Sequence, residues 1–213
     1  MSTEGVQMGQ QEFTKHLHTL RGMITDGVAY FSAWYTMAKL NEDEAHALNR
    51  YRGFFMPARS SLRDMALLQF AKVFDRNRRT VSLRNLLSAA KDNPTLLIPH
   101  AKEGDLEKLE SKIDENAQLL KDLKTYRDQH LAHQDRVVKD TSLPYGKVKQ
   151  LISEVKDMYY NSLSKWHERS ITSYDFLSRE AEQHTSDVKR IMCEERDRAK
   201  LRIQEANRQI MKG

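Results

Sequence analysis

The chain has 213 residues, 39% hydrophobic and 31% charged, with 8 Gly and 4 Pro, enough for one ordinary domain with an extension but poor in the turn residues a sheet protein needs. Its 35 basic and 30 acidic residues leave a formal net charge of +5, which permits nucleic acid as a partner without demanding it. A lone cysteine, Cys193, excludes an internal disulfide framework, and beside Glu194 and Glu195 it lacks a cation to favour a thiolate.

Residues 1–10 are small and polar and read as a disordered lead-in. From Gln11 to Leu40, Phe13, Leu17, Leu20, Ile24, Val28, Phe31, Tyr35 and Ala38 recur at helical spacing, so one long amphipathic helix is predicted despite Gly22 and Gly27. Asn41, followed by Glu42, Asp43 and Glu44, offers a cap and an acidic first turn for a second helical region reaching about Phe74. Pro57 predicts a kink or break in it near Met56. Asp75-Arg76-Asn77-Arg78-Arg79-Thr80 has no apolar residue and ends that helix, and Ser82 caps a short one over Leu83–Ala90. Pro94 and Pro99 bracket an apolar connector.

After Gly104 a further helix is expected, with Leu106, Leu109, Ile113, Ala117, Leu120 and Leu123 on one stripe, running through Arg127 and fading near His133. Residues 134–143 are polar, and Pro144 starts the next helix, carrying Val148, Leu151, Ile152, Val155, Met158, Tyr159 and Leu163. A last helix from about Ser173 to Ile210 sets Leu177, Ala181, His184, Val188 and Ile191 at alternating spacings of four and three. That coiled-coil-like stripe packs on its own domain or on a partner. The expected architecture is therefore all-α, an up-and-down helical bundle over 11–170 with a long C-terminal helical extension over 171–213.

The N-terminus lacks a basic region followed by an apolar one, and no segment approaches the ~20 apolar residues of a spanning helix, so a cytoplasmic chain without a membrane partner is expected. There is no glycine-rich phosphate loop, no H-E-x-x-H and no cysteine pair, and the 8 histidines are scattered, so neither a cofactor nor a metal site is expected.

The informative segment is Arg127-Asp128-Gln129-His130-Leu131-Ala132-His133. On an α-helix Arg127 continues the stripe ending at Leu123, so a permanent charge points where core or interface is expected and needs a partner or a task. His133 would lie about 120° round the helix and ~9 Å along it, with His130 between them. Lys72, Arg76, Arg78, Arg79 and Arg84 cluster about a loop whose one acid is Asp75, an arrangement that contacts RNA phosphates or is simply solvated. No aromatic residue lies in that loop to stack on a base.

The run Arg-Asp-x-x-x-Ala-His resembles the signature of the HEPN superfamily (higher eukaryotes and prokaryotes nucleotide-binding), and most resembles its abortive-infection U-like branch. Trp34-Tyr35, the Phe54-Phe55 pair, Leu67 to Asp75 and Ser82 to Leu87 agree with that branch, over roughly residues 20–170. The resemblance implies a helical homodimer whose two Arg and His sets line a shared cleft. It also implies a metal-independent endoribonuclease acting as a toxin or phage-defence effector, often beside a nucleotidyltransferase-type antitoxin. Carried over, Arg127 stabilises charge on the scissile phosphate, His133 moves protons, Asp128 orients one of them, and His130 is an accessory candidate. The other reading is a non-catalytic helical interaction or RNA-binding module, with Arg127 and Asp128 in a local salt bridge.

Overall fold

The periodic apolar residues of the first segment form the helix they predict, α1 (Gln10–Ala38). It is followed by α2 (Glu42–Asn49), α3 (Arg52–Val73), α4 (Leu83–Asp92), α5 (Pro94–Leu97), α6 (Asp105–Glu115) and α7 (Ala117–Tyr126). A π turn over Arg127–Ala132, α8 (Tyr145–Lys156), a π segment over Asp157–Ser164, α9 (Lys165–Glu168) and α10 (Asp175–Ile210) complete the order. This computed structural model describes residues 8–132, 143–169 and 175–211. The protein is all-α, a helical bundle ending in a helix of 36 residues, with no strand among the described residues. Most of the lead-in expected over residues 1–10 lies outside the described residues. The chain divides into two compact units, Met1–Val28 with Ala66–Tyr174, and Ala29–Met65 with Asp175–Gly213.

The first unit is built on the four-three spacing of α1, whose Phe13, Leu17, Leu20 and Ile24 are all buried. Phe70 and Val73 of α3 and Leu83 and Leu86 of α4 are buried in the same unit. Each such side chain taken from water stabilises the fold by about 1.5–3 kcal/mol. At Gly27 α1 comes close to α3: a Cβ there would stand 3.0 Å from the Phe70 ring and 3.2 Å from Gln69 Cβ. Two polar side chains in this unit's interior are paired. Tyr159 donates its hydroxyl to the Leu17 carbonyl at 2.9 Å, and burial pushes its phenol pKa well up. His167 donates from Nδ1 to the Leu97 carbonyl at 2.6 Å, while Nε2 meets the Thr14 hydroxyl at 2.8 Å.

In the second unit a full capping box opens α2: Asn41 Oδ1 accepts from Glu44 N, and Glu44 Oε2 accepts from Asn41 N. The buried Lys189 of α10 then joins three features of this unit. Its ammonium reaches Glu44 Oε1 at 3.0 Å and donates to the carbonyls of Thr36 at 3.3 Å and Lys39 at 2.9 Å, at the end of α1. Two turns further along α10, Arg196 holds the Asp43 carboxylate at 2.9 Å and its carbonyl at 2.8 Å. These polar clamps set the rotation of α10, so Val188 and Ile191 of the predicted apolar stripe are exposed.

Three local expectations change. The second helical region breaks at Arg50 and Tyr51, not near Met56, and Pro57 lies inside α3. Restarting at Arg52 leaves Pro57 in the second turn, where its missing N–H costs the bond to the Gly53 carbonyl and the helix continues undisturbed beyond. The helix expected from Gly104 to near His133 is interrupted at Asn116, whose amide donates to the Lys112 carbonyl and to the Glu154 carboxylate. Such a side chain competes with the helical hydrogen-bond ladder. Beyond Tyr126 the chain widens into the π turn, so the angular estimate that assumed an α-helix through Arg127 no longer applies.

Candidate nucleic-acid cleft

Where α3 ends, a run without apolar residues must satisfy its backbone by side chains, and it does so with Asx turns. Asp75 Oδ1 accepts from Asn77 N at 3.1 Å, and Asn77 Oδ1 accepts from Arg79 N at 3.0 Å. From α4, Asn85 Nδ2 donates to the carbonyls of Asn77 at 2.8 Å and Thr80 at 2.7 Å. Asn85 is itself positioned at the start of α4, where its N–H is capped by Ser82 Oγ at 3.3 Å. The basic loop is thus an ordered one, with Arg76, Arg78 and Arg79 exposed around it and Lys72 exposed on the last turn of α3.

The second carboxylate oxygen of Asp75 faces Arg127 across 52 residues of sequence, with Arg127 Nη1 at 3.5 Å. Arg127 also donates from Nε to Asp128 Oδ1 at 2.8 Å, with Nη2 at 2.6 Å from the same oxygen. Lys124 Nζ lies 2.6 Å from Asp128 Oδ2. Arg127 and Asp75 are each only 21% exposed in their side chains, so the guanidinium occupies the semi-buried position expected from the stripe, and two carboxylates compensate it. Burial pushes the Asp128 carboxyl up, but hydrogen bonds from Lys124 and Arg127, with their charges, pull it below the usual carboxylate range. Asp128 is therefore a stable anion at neutral pH.

Beside this network lies a cleft of about 390 Å³, walled by Ala71 from α3 and Phe74 just after it, by Arg76 and Arg84, and by the α7 residues Gln118 and Leu120, with Arg127 at its edge. Apolar walls with several cations converging on one concavity suit a ligand carrying both a planar group and negative charge. Arg84 is partly engaged, its Nη2 lying 3.7 Å from Asp114. The π turn starts at Arg127, and the buried Gln129 Oε1 within it has no hydrogen-bond donor among the described residues. Among the described residues, no group of three His, Cys, Asp or Glu could hold a metal ion, and no helix is long and apolar enough to cross a membrane.

Of the site residues predicted from sequence, the structure brings Arg127, Asp128, Arg76 and Arg84 to one cleft region. Lys72, Arg78 and Arg79 belong to the adjoining segment but not to the cleft walls. His130 has its backbone in the π turn. His133 lies outside the described residues. Sequence reasoning missed Asp75 as the partner of Arg127, because nothing local couples positions so far apart. It also missed Lys124, which was within reach, standing four residues before Asp128 on one helical face.

Comparison with known proteins adds one finding. The sequence profile of the HEPN family described as AbiU2 matches residues 10–190, from the first residue of α1 to Arg190 within α10. No curated protein and no solved structure matches the chain.

Proposed function

The chain is a member of the AbiU2 family of HEPN domains, and we propose from that premise that it is an RNA-directed abortive-infection effector, an endoribonuclease that cuts without a metal ion. The observation that carries this reading is the semi-buried Arg127 guanidinium, held by Asp75 and Asp128 at the edge of a cleft that Arg76 and Arg84 also line. A fixed guanidinium suits the charge that develops on a phosphorane. The nucleophile is the ribose 2′-hydroxyl next to the scissile phosphate. His133 takes its proton and His133 of a second copy, or His130, returns one to the leaving 5′-oxygen, leaving a 2′,3′-cyclic phosphate. Asp128, ionised at neutral pH, orients Arg127. Arg76, Arg78, Arg79, Arg84 and Lys72 draw the RNA in through its phosphates.

Purified protein with RNA and EDTA tests the reading. Arg127→Ala and His133→Ala should each lower cleavage by ~10²–10⁴-fold, and the double variant should fall short of the product of the two. An RNA with 2′-deoxy at the cut position should resist, and its cleavage would exclude internal attack and the roles given to Arg127 and His133. The proposed assembly is a homodimer with a shared cleft, beside a nucleotidyltransferase-type antitoxin as neutralising partner; light scattering that found only a 24.9 kDa species at micromolar concentration would refute the dimer.

One observation favours the non-catalytic alternative: Arg127 is already doubly paired, as in a structural salt-bridge network. In that case Arg127→Ala would lower stability while RNA remained uncut by the wild type as well.

A further inference from the structure

The second unit carries a surface that the cleft reading does not use. Between Arg50 and Arg63 the sequence reads Arg-Tyr-Arg-Gly-Phe-Phe-Met-Pro-Ala-Arg-Ser-Ser-Leu-Arg, four arginines and three aromatic rings with no acid. The backbone here is ordered, since the Tyr51 carbonyl accepts from both Phe54 N at 2.9 Å and Phe55 N at 3.1 Å as α3 begins. The side chains point outward: Phe54 is 69% exposed, Tyr51 42% and Met56 48%. Phe55 and Phe54 form a T-shaped pair at 5.2 Å between ring centroids, which steadies the largely exposed Phe54 ring. Arg50 stands one turn before Phe54, and Arg52, Met56, Arg59 and Arg63 follow at helical spacings of four, three and four along the neighbouring stripe. Arg63 pairs with Asp64 at 3.1 Å, whereas Arg50, Arg52 and Arg59 have no ion pair among the described residues. Between the two stripes, Gly53 presents bare backbone, with nothing within 4 Å of where a Cβ would stand.

Exposed rings cost free energy in water, and cations crowded without acids repel one another, so the patch is unfavourable until something covers it. The cover must offer flat apolar faces and negative charge together. A second copy of the same patch offers rings but sets arginine against arginine. A membrane surface offers anions, but an in-plane helix needs large apolar residues over several turns, and this one exposes Ser60 and Ser61 instead. Single-stranded nucleic acid offers both, with bases stacking on aromatic rings and phosphates tracking the cations between them.

We propose that Arg50, Tyr51, Arg52 and Phe54, with Arg59, form a docking platform for single-stranded RNA on the second unit, on which a base stacks against Phe54 and the flanking phosphates are held by the arginines. The choice of RNA as the strand rests on the proposed function; the platform itself rests on the exposed rings and unpaired cations. It recognises strand chemistry and not sequence.

The test uses the full-length protein and a labelled, U-rich, 2′-O-methyl oligoribonucleotide, which binds but cannot be cut by internal attack, with affinity read by fluorescence anisotropy. Phe54→Ala should weaken binding roughly 5- to 150-fold, the range for loss of one stacked base, and Phe54→Trp should retain it. Arg50→Gln with Arg52→Gln should flatten the salt slope by about 0.7 per arginine. Affinity within twofold of wild type for Phe54→Ala overturns the platform, as does a slope unchanged in the arginine variant. A change of oligomeric state, or loss of binding to anionic vesicles, with RNA affinity intact would overturn it in favour of a second copy or a lipid surface. These outcomes separate from the fate of the ribonuclease reading. Patch variants that lose binding in a protein that cleaves nothing would sink that reading alone, and patch variants that bind normally in a protein that cleaves would sink the platform alone.

Discussion

Two glycines on α1, Gly22 and Gly27, give the cleanest check on the packing that places the end of α3 at the cleft. Replacing a helical glycine by alanine gains up to about 1 kcal/mol from backbone propensity at either position. Gly22 is exposed with nothing within 4 Å of its missing Cβ, so Gly22→Ala should realise that gain. At Gly27 the new Cβ would lie 3.0 Å from Phe70 Cζ, 3.2 Å from Gln69 Cβ and 3.3 Å from Phe70 Cε1. Phe70 is fully buried, so its ring has no solvent to move into. Overpacking of this kind costs about 1–3 kcal/mol, against the same propensity gain. The difference between the two variants cancels propensity and isolates the clash, so Gly27→Ala should be less stable than Gly22→Ala by about 1–3 kcal/mol in urea denaturation. In thermal terms a change of 1 kcal/mol is worth about 2–4 °C at this size. Because Ala71, next to Phe70 on α3, and Phe74, just past the end of that helix, wall the cleft, Gly27→Ala should also weaken RNA binding, and Gly22→Ala should not. Equal stability of the two variants would refute the close approach of α1 to α3.

Two further expectations concern charge. Lys189→Met keeps the aliphatic stem but leaves Glu44 without its cation and two carbonyls without their donor, in a place where the lysine side chain is 11% exposed. The expected loss is about 2–3 kcal/mol, with faster hydrogen exchange in α10, and Glu44→Gln added to it should recover part; unchanged exchange in α10 would rule the clamp out. Below neutrality, hydrogen bonds from Lys112 and Asn161 hold the Asp157 carboxyl below the usual range, as Lys124 and Arg127 do for Asp128 against the opposing effect of burial. Since these native pKa values lie under the unfolded value of about 3.9, both groups stabilise the fold above that pH and cease to do so as pH falls through the native values. Urea midpoints should drop over that acid window, and Asp128→Asn with Asp157→Asn should show a shallower drop; an identical acid limb would contradict the assignment.

What the sequence by itself determined were the features that repeat or act over a few residues. Helix class follows from four-three apolar spacing in α1 and α8, the caps at Asn41 and Ser82 follow from side chains reaching backbone three residues on, and the Arg127-Asp128 pair follows from adjacency. The family itself was legible from the Arg127 to His133 run together with its context. What only the tertiary structure decided were contacts between distant positions and competitions between local preferences. Asp75 meets Arg127 across 52 residues because the end of α3 and the π turn come to one cleft, and no local pattern encodes that meeting. Gly27 looked like a weak helix residue until Phe70 was found against it. α10 turned its apolar Val188 and Ile191 outward because the clamps of Lys189 and Arg196 outweigh a few exposed methyl groups. Burial and pairing are properties of neighbours in space, and a one-dimensional pattern specifies such neighbours only within a turn or two of helix.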